Sequence, residues 1–426
     1  MAPESFRPPS ALLLLPPPPS FDFGPVRDAF QTSVSDVLVK LSESLNGSNG
    51  IASLDIALAV PDLLAPANKP RARVFKQLQH YLTSIYTLIG AEAAARDIEL
   101  DSPGGIDARV LFVDCSPSAC TVSATRYHFG PTLDLQSLAT SGRLWDHVFY
   151  PSSEAGKILA DTFASYRGNK SSKLRAVSSS SSWVLPSPLL RPEQEEQQSG
   201  QVRDAFNRQT HHAGLTYLKD VSTPKNQLLS TPHYSVAVGG TFDHLHVGHK
   251  LLLTATALVL EPLEEADQGR ERLLTVGVTG DALLVNKKYA EFLESWEERY
   301  QATAAFLSSI MDFSGGSAPQ LERTWGSGPN EKSVKMRVQP NLTFNFVEIV
   351  DPFGPTITEE DIDALAVSEE THSGGQAVND KRKEKGWDAL GVFEVDVLQA
   401  GATEANIDSK ISSTDIRRRR MNLAKV

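Results

Sequence analysis

Apolar residues at Val26, Phe30, Val34, Leu38, Leu41 and Leu45 recur at helical spacing, so the chain from 26 to 45 is expected to be an amphipathic helix. Strand-like apolar runs stand at Ile51–Val60 and Ala108–Val113, with another helical pattern over Val74–Ile98 between them. These predict a smaller α/β module from Phe21 to Gly168 (residues 21–168). Ahead of it, residues 1–20 hold Leu12–Leu15 followed by Pro16–Pro19, and read as a proline-rich tail, disordered or extended. Behind it, residues 169–232 contain the serine run Ser178–Ser182 and the polar stretch Glu193–Gln198. Such composition buries little and is expected to be a linker.

From residue 233 to 426 strands and helices alternate. Strands are expected at Ser235–Val238, Leu273–Val278, Thr343–Val350, Ala364–Val367 and Val392–Leu398. Helices are expected at His249–Leu260, Glu294–Ile310, Gln376–Lys385 and Ser413–Met421. This alternation predicts a parallel sheet covered on both faces, with ligands bound beyond the carboxyl ends of its strands. Residues 313–335 interrupt the alternation and are expected to be a surface insertion.

Between the first of these strands and the first helix, Val238–His249 reads Val-Gly-Gly-Thr-Phe-Asp-His-Leu-His-Val-Gly-His. Gly239 and Gly240 let the backbone approach an anion closely. The helix that follows directs unbonded N–H groups and its positive dipole end toward that anion. His246 and His249, one turn apart, can face the same ligand. The segment is suited to phosphate. A zinc site is disfavoured, since zinc takes three or four ligands and neither Cys115 nor Cys120 lies near in sequence. His244 and Asp243 suit ordinary turn geometry.

Near the C-terminus Ile411–Arg417 reads Ile-Ser-Ser-Thr-Asp-Ile-Arg. With Ser412 as N-cap, Asp415 falls at the acidic position of a capping box, so plain capping competes with phosphate binding for Ser412, Ser413 and Thr414. The two motifs, in this order and about a domain apart, resemble the Gly-Thr-Phe-Asp…His-x-Gly-His and Ile-Ser-Ser-Thr-x-Ile-Arg signatures of the nucleotidylyltransferase superfamily. Val367–Thr371, Gly374–Asn379 and Asp351–Pro355 resemble segments of the eukaryotic, fungal-type phosphopantetheine adenylyltransferases. The resemblance covers 234–423 and leaves 1–232 outside it.

The resemblance implies a Rossmann-like catalytic domain that joins ATP to 4′-phosphopantetheine, giving dephospho-CoA and pyrophosphate in the cytoplasm, with Mg²⁺ accompanying ATP. Gly239, Gly240, Thr241 and Phe242 would contact ATP, with Thr241 offering its hydroxyl and N–H to the reacting phosphates of both substrates. His246 and His249 would contact the triphosphate, His249 stabilising the transition state. Ser412, Ser413, Thr414 and Arg417 would hold the outer phosphates, and Lys287 or Lys288 the acceptor phosphate, unless those lysines are a solvated basic pair. Arg299 matches a family arginine, with a helix-surface ion pair as the alternative. Bacterial members carry arginine where this chain has Ser368-Glu369-Glu370-Thr371, so Lys381 or Arg382 is expected to supply that cation. No Gly-x-x-x-x-Gly-Lys-Ser/Thr loop of a fused kinase is found, which implies a monofunctional arrangement. The N-terminal module is expected to serve as a platform for other enzymes of the CoA pathway. A nicotinamide-mononucleotide adenylyltransferase and a non-catalytic scaffold are the rival readings.

Composition changes little. Over 426 residues the chain is 40% hydrophobic and carries a formal charge of −11, which gives no support to nucleic-acid binding. Arg417–Arg420 is a local basic run of the kind that ends a solvated helix. The cysteine count of 2 predicts free thiols in a reducing compartment. No apolar run is long enough to span a membrane. No dense carboxylate cluster marks a resident metal, and Asp243 is the nearest candidate ligand.

Overall fold

In this computed structural model the described residues are 7–116, 129–168, 173–179, 231–263, 267, 269–314, 320–325, 332–339, 341–398 and 412–424. The chain divides into two compact units: Met1–Asn68, Ala95–Ala124 and Thr132–Asp220 form one, and Lys69–Ala94, Thr125–Pro131 and Val221–Val426 form the other.

The first unit is built on a six-stranded sheet of β1 (Ser10–Leu15), β2 (Ala52–Ala59), β3 (Ile106–Asp114), β4 (Thr132–Asp134), β5 (His147–Pro151) and β6 (Lys173–Val177). Its spatial order is β4-β3-β2-β1-β5-β6, and every pairing is parallel. A parallel sheet is covered on both faces, so its inner strands read as continuous apolar runs. Leu12–Leu15, expected within a disordered or extended tail, is extended but wholly buried in this way, at an inner position of the sheet. The prolines that follow end the strand instead of marking the whole segment as irregular. Helix α1 (Phe23–Leu45) buries Val26, Phe30, Val34, Leu38, Leu41 and Leu45, the stripe read from the sequence, and α3 (Leu135–Thr140) and α4 (Glu154–Arg167) belong to the same unit. Strand β6 lies inside the expected linker, while residues 180–230 of that linker lie outside the described residues. Cys115 is a free thiol and Cys120 lies outside the described residues.

The second unit is built on a seven-stranded sheet in the order β13-β12-β7-β8-β11-β10-β9. Its strands are β7 (Ser235–Gly240), β8 (Arg272–Thr279), β9 (Gln320–Trp325), β10 (Lys332–Gln339), β11 (Leu342–Ile349), β12 (Ala364–Ser368) and β13 (Gly391–Val395). Strand β7, first in sequence in this sheet, pairs with β8 on one side and with β12, much later in sequence, on the other, all parallel. The winding therefore reverses beside β7, which opens a crevice at its carboxyl end. Strand β9 lies in the expected insertion and β10 starts in it and runs on to Gln339; the two pair antiparallel and extend the sheet past β11. The α2 helix (Phe75–Ala95) groups with this unit up to Ala94, although it lies far from it in sequence. Phe75 meets Phe393 edge-on with ring centroids 5.0 Å apart, and the Arg71 N–H donates to Glu261 Oε2 at 2.6 Å.

Helix α7 (His372–Glu384) carries both expected cation sources, and the structure corrects the expectation for Arg382. Arg382 is 1% exposed and donates to five backbone carbonyls, those of Thr356, Glu359, Glu360, Ile362 and Asp388. Its charge gathers the chain around α7, because the guanidinium fork can donate to several carbonyls at once. Lys381 is exposed and pairs with Glu384 on its own helix. No helix among the described residues is long and apolar enough to cross a membrane. Replacing Arg382 by alanine is expected to lower unfolding stability by about 3 kcal/mol through the stranded carbonyls. Urea denaturation would measure this, and an unchanged midpoint would contradict the assigned role.

Candidate active site

The loop after β7 owes its shape to two glycines with close neighbours. A Cβ at Gly240 would stand 2.9 Å from Phe242 Cζ, and one at Gly248 would stand 3.2 Å from the His246 ring. Phe242 and His244 both take left-handed backbone angles, φ 52° and 46°, which side-chain-bearing residues adopt at a cost. Phe242 is fully buried, and its ring packs 5.5 Å from that of His249. It is a wedge beneath the loop.

Three successive tethers turn carbonyls of this loop into the protein. Thr279 Oγ1 donates to Gly240 O at 3.1 Å, an Arg299 nitrogen to Thr241 O at 2.7 Å, and Ser413 Oγ to Asp243 O at 2.8 Å. The donors come from the end of β8, from α6 (Trp296–Met311) and from α8 (Ser413–Leu423).

Helix α5 (Val247–Val259) starts at the bottom of the crevice. Its N-cap is His246, whose Nδ1 accepts the Gly248 N–H at 3.2 Å. The neutral ring therefore carries its proton on Nε2. The His246 and His249 rings stack at 3.9 Å between centroids, so the expected pairing is present. His249 Nδ1 is buried with no hydrogen-bond partner. Both residues are half-buried, and the protein packed around the rings penalises a charge there. Burial, followed by the charges of His244 and Lys250, pushes His246 down to about 3. Burial, followed by His246 and His244, holds His249 well below the usual imidazole range.

His244 proves to be structural. Its N–H donates to Glu294 Oε2 at 2.8 Å and its Nε2 to Phe292 O at 2.8 Å. Asp243 is fully buried, accepts the Glu294 N–H at 3.0 Å and forms an ion pair with Arg417. Asp243, His244 and Glu294 lie together closely enough to suggest a metal site. The donor set does not fit one, since both carboxylates already serve N–H groups and an arginine occupies Asp243.

At α8, Ser412 is the N-cap, its Oγ accepting the Asp415 N–H at 3.2 Å. Ser412 also donates to Asp415 Oδ2 at 2.5 Å, and Ser413 is held by Asp243 O. Thr414 Oγ1 accepts from Arg417 at 3.2 Å and keeps its own proton to give. Arg417, expected to meet phosphate, is 3% exposed and joined to Asp243, Thr414 and, through Nε at 3.0 Å, Lys288 O. The structure thus brings both motifs together and adds the lysine loop to them. The side chains of Lys287 and Lys288 are exposed, as is Gly239, while Gly240 and Thr241 are half-buried.

Arg299 is not on the surface: it is 0% exposed. The signal lay in its helical spacing with Trp296, Thr303 and Leu307, all on the buried face. Glu294 was missed altogether, having no periodic or motif signal.

Residues 237–419 match the family model described as Cytidylyltransferase-like, so the second unit contains a cytidylyltransferase-like domain. Residues 1–183 match one described as a domain of unknown function. Among individual relatives, an uncharacterized protein of Schizosaccharomyces pombe is 40% identical over 192 residues, covering 44% of this chain and 48% of that one. A phosphopantetheine adenylyltransferase of Saccharomyces cerevisiae is 32% identical, covering 47% of this chain and 52% of its own. One from Thermococcus gammatolerans is 29% identical, covering 44% and 89%. The chain thus spans about half the length of the two fungal relatives.

The depressed imidazoles make stability depend on pH. Below about pH 6.5 the unfolded chain binds protons that the folded site refuses, so stability is lost as pH falls. Each such histidine is expected to cost about 1 kcal/mol by pH 5.5 in the substrate-free protein. Urea midpoints of wild type and His249→Gln between pH 7.5 and 5.5 would measure it, the variant losing less; parallel curves would contradict it.

Proposed function

We propose that the second unit is an adenylyltransferase that joins ATP to 4′-phosphopantetheine. The observation that carries this reading is the stacked, neutral His246–His249 pair at the start of α5, set against an α8 start that is tied to the same loop. Printed names of the yeast and archaeal relatives support the choice of acceptor.

The acceptor's phosphate is already a nucleophile, so no side chain needs to attack. One of its oxygens forms a bond to the α-phosphorus of ATP, the bond from that phosphorus to the bridging oxygen breaks, and pyrophosphate leaves. Catalysis then consists of alignment and of donors placed where charge develops. His246 Nε2–H and the His249 ring meet the triphosphate as neutral donors, and an arriving polyanion favours their protonation. Amides at the start of α8 and the Thr414 hydroxyl hold the outer phosphates. Lys287 or Lys288 holds the acceptor phosphate from the loop that Arg417 draws in through Lys288 O. Mg²⁺ would enter as the counterion of ATP, since no carboxylate set among the described residues fits it.

Purified protein with ATP, Mg²⁺ and 4′-phosphopantetheine is expected to release pyrophosphate and dephospho-CoA. His249→Ala is expected to lower kcat by about 10²–10³-fold. A parallel reaction with nicotinamide mononucleotide tests the acceptor. Turnover there alone would reassign the substrate, and silence with both would favour a scaffold.

A further inference from the structure

Two buried arginines hold the phosphate loop, and both also hold the loop that follows β8. Arg417 does so at Lys288 O while pairing with Asp243. Arg299 does so at the other end: one terminal nitrogen donates to Thr241 O at 2.7 Å, the other to Asp281 Oδ1 at 2.6 Å, and Nε to Glu294 O at 3.0 Å. Its three partners come from three separate segments. A guanidinium that merely steadied α6 would need only the Glu294 carbonyl just ahead of the helix. Asp281 itself is 58% exposed, and its other oxygen accepts the Trp296 N–H at 3.3 Å. Beyond it Ala282, Leu283, Val285, Asn286, Lys287 and Lys288 are exposed and Leu284 alone turns inward, so the two arginine contacts, at residues 281 and 288, bracket a loop with one apolar anchor between them.

We infer that Arg299 is a positioning residue that couples the two substrate sites: it sets the Thr241 carbonyl of the ATP loop and, through Asp281, the start of the acceptor loop. The inference rests on the adenylyltransferase reading for the identity of the two sites. Arginine is required because its planar fork reaches both partners at once, whereas a lysine ammonium reaches one point. Asp281 supplies the arm toward the acceptor, and cutting that arm leaves the bond to Thr241 O in place.

The test uses the full chain, with initial rates in both substrates, ATP binding by calorimetry, and melting temperature. Asp281→Asn is expected to raise the acceptor KM by about tenfold or more and leave ATP affinity unchanged, with a small fall in melting temperature as one partner of the buried Arg299 loses its charge. Arg299→Lys is expected to weaken ATP binding as well and to lower kcat by about a hundredfold, as a misplacement near 1 Å does. The double variant is expected to be no worse than Arg299→Lys, since the bond that Asp281→Asn cuts is already lost there. An unchanged acceptor KM in Asp281→Asn, independent effects in the double variant, or kinetic losses that track melting temperature would overturn the inference. Absence of turnover in the wild type would instead sink the reaction assigned above. Calorimetry would still judge Arg299, and wild-type ATP affinity in Arg299→Lys would overturn its role.

Discussion

A loop that offers its own N–H groups to a highly charged ligand must have its carbonyl oxygens held elsewhere, or they face the ligand and repel it. In this protein the carbonyls of Gly240, Thr241 and Asp243 are each claimed by a side-chain donor from a different element. The rest of the site depends on that arrangement. It explains why α6 and α8, distant in sequence, must converge on the end of β7. It also explains why the arginines nearest the loop are buried instead of facing solvent.

Burying Arg299, Arg417 and Arg382 is costly unless every donor direction meets an acceptor. The structure meets that condition with backbone carbonyls and with the carboxylates of Asp243 and Asp281. Such arrangements hold one geometry closely, since a small displacement strands a charge. The two histidines are treated the other way. They are kept neutral by burial, which leaves them ready to gain charge when a polyanion arrives.

The fold puts this machinery where the strand order reverses, between β7 and β12. Segment Ser368–Thr371 lies at the carboxyl end of β12, next to β7, and its exposed Glu369 and Glu370 give that side an acidic character. Of the two cations expected from α7 to serve ATP, only Lys381 is exposed. Arg382 is committed to carbonyls and Lys381 to Glu384. The first unit has its own parallel sheet with its own reversal, at β1, and none of the motifs read from the sequence falls there.

Much of this was legible in the chain. Helix stripes, strand runs, the Ser412 cap and the phosphate loop are local patterns, and α1, α5 and α8 form where those patterns stand. The histidine pair was legible too, because one helical turn sets its spacing whatever surrounds it. What the sequence did not determine is whatever depends on a distant partner. Leu12–Leu15 became an inner strand only through β2 and β5, and α2 joined the second unit only through packing that residue spacing does not encode. Arg417 read as a phosphate ligand, Arg382 as a cation for the substrate and Arg299 as a family arginine or a surface ion pair. Tertiary structure alone decided that each is buried, since only it supplies the carbonyls and carboxylates that make burial affordable.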